Sequence, residues 1–300
     1  MWFKNLQVYR LPADWDLSIA HLEAQLSRHP LQRCGSMDMQ SRGWVSPRKN
    51  GSLAFSLNRQ FLIAMGAEQK LLPASVINQV ASERIAELEE QQGHQLGRKQ
   101  TKEIKERVTE ELLPRAFCRR INTYAWIDPA HGWLVIDAAN AARSEELLGL
   151  LRDSLDDLPL SLLKTQLSPV SAMTSWLAEG EAPAGFAIDR DCILQSPNEE
   201  KATVRYTRHA LDAEEIRGHL ADGKTATRLS LTWNDRISFA LTDQLQIKQV
   251  AFLDIIKEEA ESQAETAEEQ FEADFILMTG ELGHFLQDFV EALGGEEDKV

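Results

Sequence analysis

The sequence predicts an α+β protein with antiparallel sheets and packed helices, a projecting helical-hairpin arm and a long C-terminal helix. Three observations carry that expectation. Alternating, strand-like runs bounded by Gly, Pro, Asn and Asp occur in both the first and the last thirds of the 300-residue chain. Between them lie two heavily charged segments with narrow apolar stripes at helical spacing. Near the C-terminus, large apolar residues repeat at intervals of three and four.

The elements follow in chain order. "WFKNLQVYRL" is aromatic and partly alternating, hence a strand, and "LSIAHLEAQLSRH" sets Ile19, Leu22 and Leu26 at helical spacing. "GWVSPRKNGSLAFSLNRQFLIAMGAE" reads as short strands joined by Pro, Gly and Asn turns, so the first seventy residues are β-α-β-β. Beyond Pro73, Ile77, Ala81, Ile85 and Leu88 share one helical face. After the break "QQGHQLG", Ile104, Val108 and Leu112 share another, and Pro114 stops that helix. Two such helices zip along one seam and leave their charged sides in water.

"TYAWIDPAHGWLVIDA" is a hairpin around an Asp-Pro-x-x-Gly turn. "NAARSEELLGLLRDSL" is an amphipathic helix, "LPLSLLK" a strand, and "SAMTSWLAEG" a short helix ended by Gly180. "GFAIDRDCILQS" and "KATVRYTR" are strands, and "DAEEIRGHLADG" is a helix with an Asp cap. "KTATRLSLTWNDRISFALTDQLQIKQVAFL" alternates through three strands of a meander. Phe271, Phe275, Met278, Leu282, Phe285 or Leu286, Phe289 and Leu293 then form the stripe of the last helix, which Gly294-Gly295 ends.

These shifts divide the chain into an N-terminal α/β part of the body (1–73), the helical-hairpin arm (74–117), a central α/β body with the meander (118–253), and an acidic segment with the C-terminal helix (254–300).

The net charge is −15, and 43% of residues are hydrophobic, enough for a sizeable core. Such acidity argues against one basic face covering the molecule, but not against a local one. Cys34, Cys118 and Cys192 have no paired spacing and read as reduced thiols of a cytosolic protein. The N-terminus lacks a signal-peptide pattern, and no apolar run reaches membrane-spanning length. Nucleotide-binding, zincin and serine-hydrolase motifs are missing and the histidines are scattered, so no cofactor or metal is expected. Acidic residues 258–274 offer carboxylates for a hard cation, but a solvated helix face accounts for them more simply.

Two basic patches stand out. From Arg98 to Arg120, eight cations face four glutamates. Pairing at i,i+4, as for Lys102 with Glu106, accounts for part of the arm at about 0.2–0.5 kcal/mol per pair. It does not account for Arg119 and Arg120, which follow the proline with no acid beside them. Phe117 reads as core on pattern alone. In "KATVRYTRH", Lys201, Arg205, Arg208 and His209 occur without an acid. Strand alternation sets Arg205 opposite Tyr206 and Arg208. The patch is either a charged edge that discourages aggregation or a nucleic-acid contact.

"WFKNLQVYRL", "CGSMDM" with "GWVSP", "LLPRAF", "FEADFILMTGEL" and "ALGGE" occur in this order almost from end to end. Together they resemble the RdgC family of bacterial nucleoid-associated, recombination-associated proteins. The resemblance implies a ring-forming homodimer of curved subunits, with double-stranded DNA passing through a positively lined hole with little sequence preference. It also implies indirect antagonism of the RecA recombinase by competition for DNA, and a cytoplasmic, nucleoid-associated location.

On that reading the phosphate contacts are Lys102, Lys105, Arg119, Arg120, Lys201, Arg205, Arg208, Lys224 and Arg228, without base readout. The arm's tip closes the ring. Phe117 and Arg115 are candidate dimer contacts there, and Arg115, Arg119 and Arg120 can serve either closure or the DNA path. Two other functions fit the residues: a metal-dependent nucleic-acid enzyme using the acidic C-terminal cluster, and a protein adaptor acting directly on recombinase.

Overall fold

Strand pairing, which alternation alone does not reveal, organises this chain around one sheet. The computed structural model describes residues 1–12, 15–48, 51–211, 214–254, 256 and 266–297. Its strands are β1 (Leu6–Arg10), β2 (Gln40–Val45), β3 (Ala54–Leu57), β4 (Gln60–Lys70), β5 (Cys118–Asp128) and β6 (Trp133–Asp137). They continue with β7 (Ser161–Leu162), β8 (Phe186–Gln195), β9 (Thr203–Tyr206), β10 (Thr225–Trp233), β11 (Ile237–Thr242) and β12 (Ile247–Phe252).

The hydrogen-bonded order is β2-β4-β5-β6-β1-β12-β11-β10-β8-β9, with β3 added to β4 and β7 to β1. All named pairings are antiparallel. The expected plural sheets are therefore one sheet. β1 makes the junction: it pairs with β6 along its whole length and meets β12 through Leu6 and Ile247.

Two expectations change in detail. Three strands follow the first helix rather than two, and β4 is eleven residues long, because an almost unbroken apolar run is buried on both faces. "LPLSLLK" contributes only the two-residue β7. At the β2 edge, the segment around Leu31 lies so close that a Cβ on Gly43 would sit 2.3 Å from the Leu31 amide nitrogen.

Alternation sorts side chains to two faces. One face is apolar along the whole sheet. There Leu62, Trp126, Val135, Leu6, Ile247, Leu241, Leu229 and Cys192 meet α5 (Pro169–Glu179), α6 (Glu214–Ala221) and α7 (Ala267–Ala292). Thr266 and Glu269 form a capping box at the start of α7, both Phe285 and Leu286 are buried, and Gly294 follows its end with φ +83°. The Asp cap expected for α6 lies outside the described residues.

The other face is apolar only over the first half. Phe61, Ile63, Ala125, Ile127 and Ile136 pack there against α1 (Ile19–Leu26) and α4 (Ala141–Ser154). Three layers thus become two where β12 begins, and no described helix adds to the apolar packing on that side of β12, β11, β10, β8 or β9.

α2 (Ala74–Gln92) and α3 (Arg98–Leu112) form the expected helical hairpin. Gly93, at φ +70°, ends α2 in the left-handed region, where a side chain would be strained. Ala81 and Val108 are fully buried in the seam, and Arg84 pairs with Glu111 at 2.7 Å across it. Lys70 ties the hairpin to the sheet: its buried Nζ donates to the Leu113 carbonyl at 3.1 Å, just past α3, where the helix dipole favours a cation.

Candidate nucleic-acid interface

The half-sheet with no second helical layer among the described residues has one face lined by polar and charged side chains, with Arg205, Arg228 and Lys248 beside Asp189 and Asp191. On β10, Leu229, Leu231 and Trp233 point into the core, so Arg228, Ser230 and Thr232 point away from it. Arg228 lies in register with Thr242 of β11 and with Ile193 of β8, and Ile193 with Arg205 of β9. Ser230 is in register with Ala240, and Ala240 with Lys248. Arg205, Arg228 and Lys248 therefore share one face of the sheet.

Lys248 was missing from the sequence-based set. The alternation of the meander carried the signal, since Ile247 beside it is a core residue. The structure brings Arg205 and Arg228 together: both line one cleft, with Asp191, Tyr206, Thr207 and Gln249. Arg205 does lie opposite Tyr206, whose neighbour Cys192 is buried.

Arg208 and Lys201 sit beyond the two ends of β9, both with positive φ, and the Arg208 N–H donates to Asp191 at 2.7 Å. Lys224 follows α6 and its Nζ lies 3.0 Å from His219 Nδ1. Burial, chiefly, with Glu215 adding to it, pushes the Tyr206 hydroxyl above its ordinary range. Burial likewise raises the Asp189 carboxyl, which accepts from the Thr232 hydroxyl.

A second group of cations lies on the arm and at its base. Lys102 and Lys105 fall with Arg98 on one flank of α3, three and four residues apart. Lys102 is 3.5 Å from Glu106, as the spacing predicts, and both are exposed, so the pair leaves the lysine accessible. Arg119 and Arg120 lie at the exposed start of β5, opposite Gln69 and Glu68 of β4. Consecutive strand residues project to opposite faces, so these arginines do not line one wall together. Arg119 is on the side of Ala125 and Ile127, which is also the side of Arg205 and Arg228, and Arg120 is on the side of Trp126.

Phe117 is not core: it is 83% exposed, because only its backbone is engaged, its carbonyl accepting from Leu71 N–H at 2.7 Å. Leu71, Val76, Met37 and Met39 are exposed large hydrophobics as well. Met39 and Leu71 are joined to Phe117 through adjacent backbone bonds at Lys70 and Leu71, so an apolar patch surrounds the base of the arm, with exposed Arg115 beside it.

Among the described residues, Lys102 is the one member of the predicted phosphate-contact set with an acidic ion-pair partner. Also among them, no group of three or more His, Cys, Asp or Glu is arranged to hold a metal ion. Residues 257–265, which carry much of the acidic cluster considered as a cation site, lie outside the described residues. No helix of the described residues is long and apolar enough to cross a membrane.

Residues 1–296 match the protein family described as "Putative exonuclease, RdgC". The chain is 58% identical over 299 residues to the recombination-associated protein RdgC of Dechloromonas aromatica, covering 99% of this chain and 98% of the relative. It is 56% identical to the protein of the same name from Janthinobacterium sp. (strain Marseille), over the whole of both chains. With that of Cupriavidus pinatubonensis it shares 55% identity over 99% of each.

Proposed function

The chain belongs to the RdgC family of recombination-associated proteins, and on that premise we propose that it binds double-stranded DNA without sequence preference. In this reading a ring-shaped homodimer encloses the duplex and limits access of the RecA recombinase during recombination and replication, without itself catalysing a reaction.

The supporting observation is the uncovered sheet face. A chain of net charge −15 keeps Arg205, Arg228 and Lys248 together on a face with no described helix packed against it. Cations so placed replace condensed counterions on phosphates, while acids elsewhere maintain solubility. Lys102, Lys105, Arg119, Lys201, Arg208 and Lys224 extend the phosphate-contacting set, whereas Arg120, which projects to the opposite face of the sheet, stands outside it. The exposed Phe117 lies at the base of the arm, residues 74–117, and not at its tip, which residues 93–97 form, so closure in this reading is at the base: an apolar surface of that kind is suited to a matching surface on a second copy.

Affinity for two unrelated duplexes, measured against salt, tests the reading. Both should weaken with the same log–log slope, about −0.9 for each phosphate neutralised. A flat response removes the electrostatic basis. Competition with RecA filaments on the same DNA, against direct binding of RecA with DNA absent, separates DNA occlusion from an adaptor acting on the recombinase. The family description also favours a second reading, a nuclease, for which the acidic C-terminal segment offers carboxylates.

A further inference from the structure

We propose that the cleft between Arg205 and Arg228 seats a single backbone phosphate, which both arginines hold. The inference rests on the DNA-binding reading and assigns that reading a particular contact. Arg228 of β10 and Arg205 of β9 stand in one cross-strand row, separated by Ile193 of β8. Neighbouring strands are about 4.8 Å apart, which sets the two Cα atoms about 10 Å apart. Two long arginine side chains on the same face of the sheet span that gap above the short floor that Ile193 provides. The cleft has a volume of about 210 Å³. That is below the range of about 300–1,000 Å³ typical of small-molecule pockets, and it suits one tetrahedral anion approached from solvent.

The backbone around the cleft carries strain that the turns of the fold do not require. Eight described non-glycine residues have positive φ. Asn58 and Arg59 form a two-residue hairpin turn and Asn234 and Asp235 lie in the three-residue turn between β10 and β11, where this conformation is ordinary, and Leu245 lies in the turn before β12. Of the other three, Gln249 lines the cleft at the irregular register of β12 with β11, and Arg208 follows Thr207 of the lining. Such residues persist where surrounding contacts over-determine them, and they gather at ligand clamps.

Here the contacts are specific. Gln249 N–H donates to Asn5 Oδ1 at 3.3 Å, and Gln249 Oε1 accepts from Arg228 Nη2, which aims that guanidinium. Arg208 N–H donates to Asp191 Oδ1 at 2.7 Å and so engages the one carboxylate of the lining. Arg205 has no side-chain hydrogen bond or ion pair among the described residues, so its planar donor fork is available to the phosphate oxygens. The unusual backbone thus holds Gln249 where it orients one arginine, and ties one oxygen of the Asp191 carboxylate to the Arg208 amide.

The test compares the salt dependence of duplex binding by the full-length protein and by Arg205→Ala, Arg228→Ala and the double variant, from about 50 to about 200 mM NaCl. A shared seat that needs both arginines predicts that each single variant and the double variant all lose about 0.9 from the slope per subunit, about 1.8 for the homodimer, because neither arginine alone holds the phosphate. Circular dichroism and light scattering verify that fold and oligomeric state are unchanged, and Arg205→Gln with Arg228→Gln replaces the alanine pair if that pair does not fold. A double variant with the wild-type slope overturns the clamp, and a double loss twice that of either single overturns the shared seat. Both results leave DNA binding intact. A wild-type protein that binds no duplex at low salt ends the DNA-binding reading itself and the clamp with it.

Discussion

Arg120 stands directly across the β4–β5 ladder from Glu68, yet the two form no ion pair. The Glu68 carboxylate instead accepts from the Cys34 backbone N–H at 2.7 Å. A buried or half-buried amide left without an acceptor costs about 1–3 kcal/mol, more than an exposed ion pair returns, so Cys34 wins the carboxylate, and Arg120 has no ion-pair partner among the described residues.

The faces of β5 predict unequal roles for its two arginines. Arg119→Ala should reduce the salt slope of duplex binding by about 0.9 per subunit, about 1.8 for the homodimer, because Arg119 shares the side of the sheet that carries Arg205 and Arg228. Arg120→Ala should leave that slope unchanged. Equal losses from both variants would contradict a DNA path along one face.

Phe117→Ser should change folding stability by no more than about 0.5 kcal/mol, since the ring is 83% exposed. If the ring closes another copy, the same variant lowers the mass seen by light scattering on dilution and shortens the residence time of duplex DNA. Wild-type behaviour in both measurements would make Phe117 an idle surface residue.

Thiol alkylation followed by mass spectrometry should proceed in a fixed order. Cys118 is exposed and reacts first. Cys34 is slower, because burial, the neighbouring Cys118 and nearby carboxylates raise its thiol, with Lys70 opposing. Cys192 is last: burial, with the Asp191 charge beside it, pushes it up to about 11, so almost no thiolate is present near neutral pH.

Asp137 provides a pH-dependent test of the core. Burial raises its carboxyl, while N–H bonds from Asn5 at 2.9 Å and Lys4 at 3.0 Å pull the other way. A carboxyl raised in the folded state contributes most stability below the unfolded value of about 3.9, and that contribution fades as pH rises through the folded value. Asp137→Asn keeps an acceptor and removes the charge, so its stability relative to wild type should improve from acid to neutral pH in urea titrations. Asp137→Ala strands the amides and should lose about 1–3 kcal/mol.

End-labelled duplex incubated with the protein and Mg²⁺ or Mn²⁺ should remain full length on a denaturing gel. Progressive shortening from an end would replace the non-catalytic reading with the nuclease one.

The sequence made local structure legible where side-chain period and punctuation agree. The hairpin of α2 and α3, its stop near Pro114, the Asp128–Gly132 turn and the stripe of α7 all follow from spacing and from Gly or Pro placement. Pairing between distant strands was not legible, because any alternating strand offers the same backbone donors and acceptors. The convergence of Arg205 on Arg228 was hidden for the same reason, since β8 brings them into one row from separate segments. Pattern alone favours a buried Phe117, because an aromatic beside a strand has the same local pattern whether or not anything covers it; the structure exposes it. Its exposure depends on where α3 and β5 leave each other.

The pairing of Leu6 with Ile247 also has a consequence for biosynthesis. A ribosome releases β1 long before β12 exists, so the newly made chain carries an incomplete central ladder for most of its translation. Contacts so distant in sequence fold slowly, and an open ladder invites pairing with another nascent polypeptide. Chains cut short before residue 247 should therefore collect in inclusion bodies unless chaperones cover that edge.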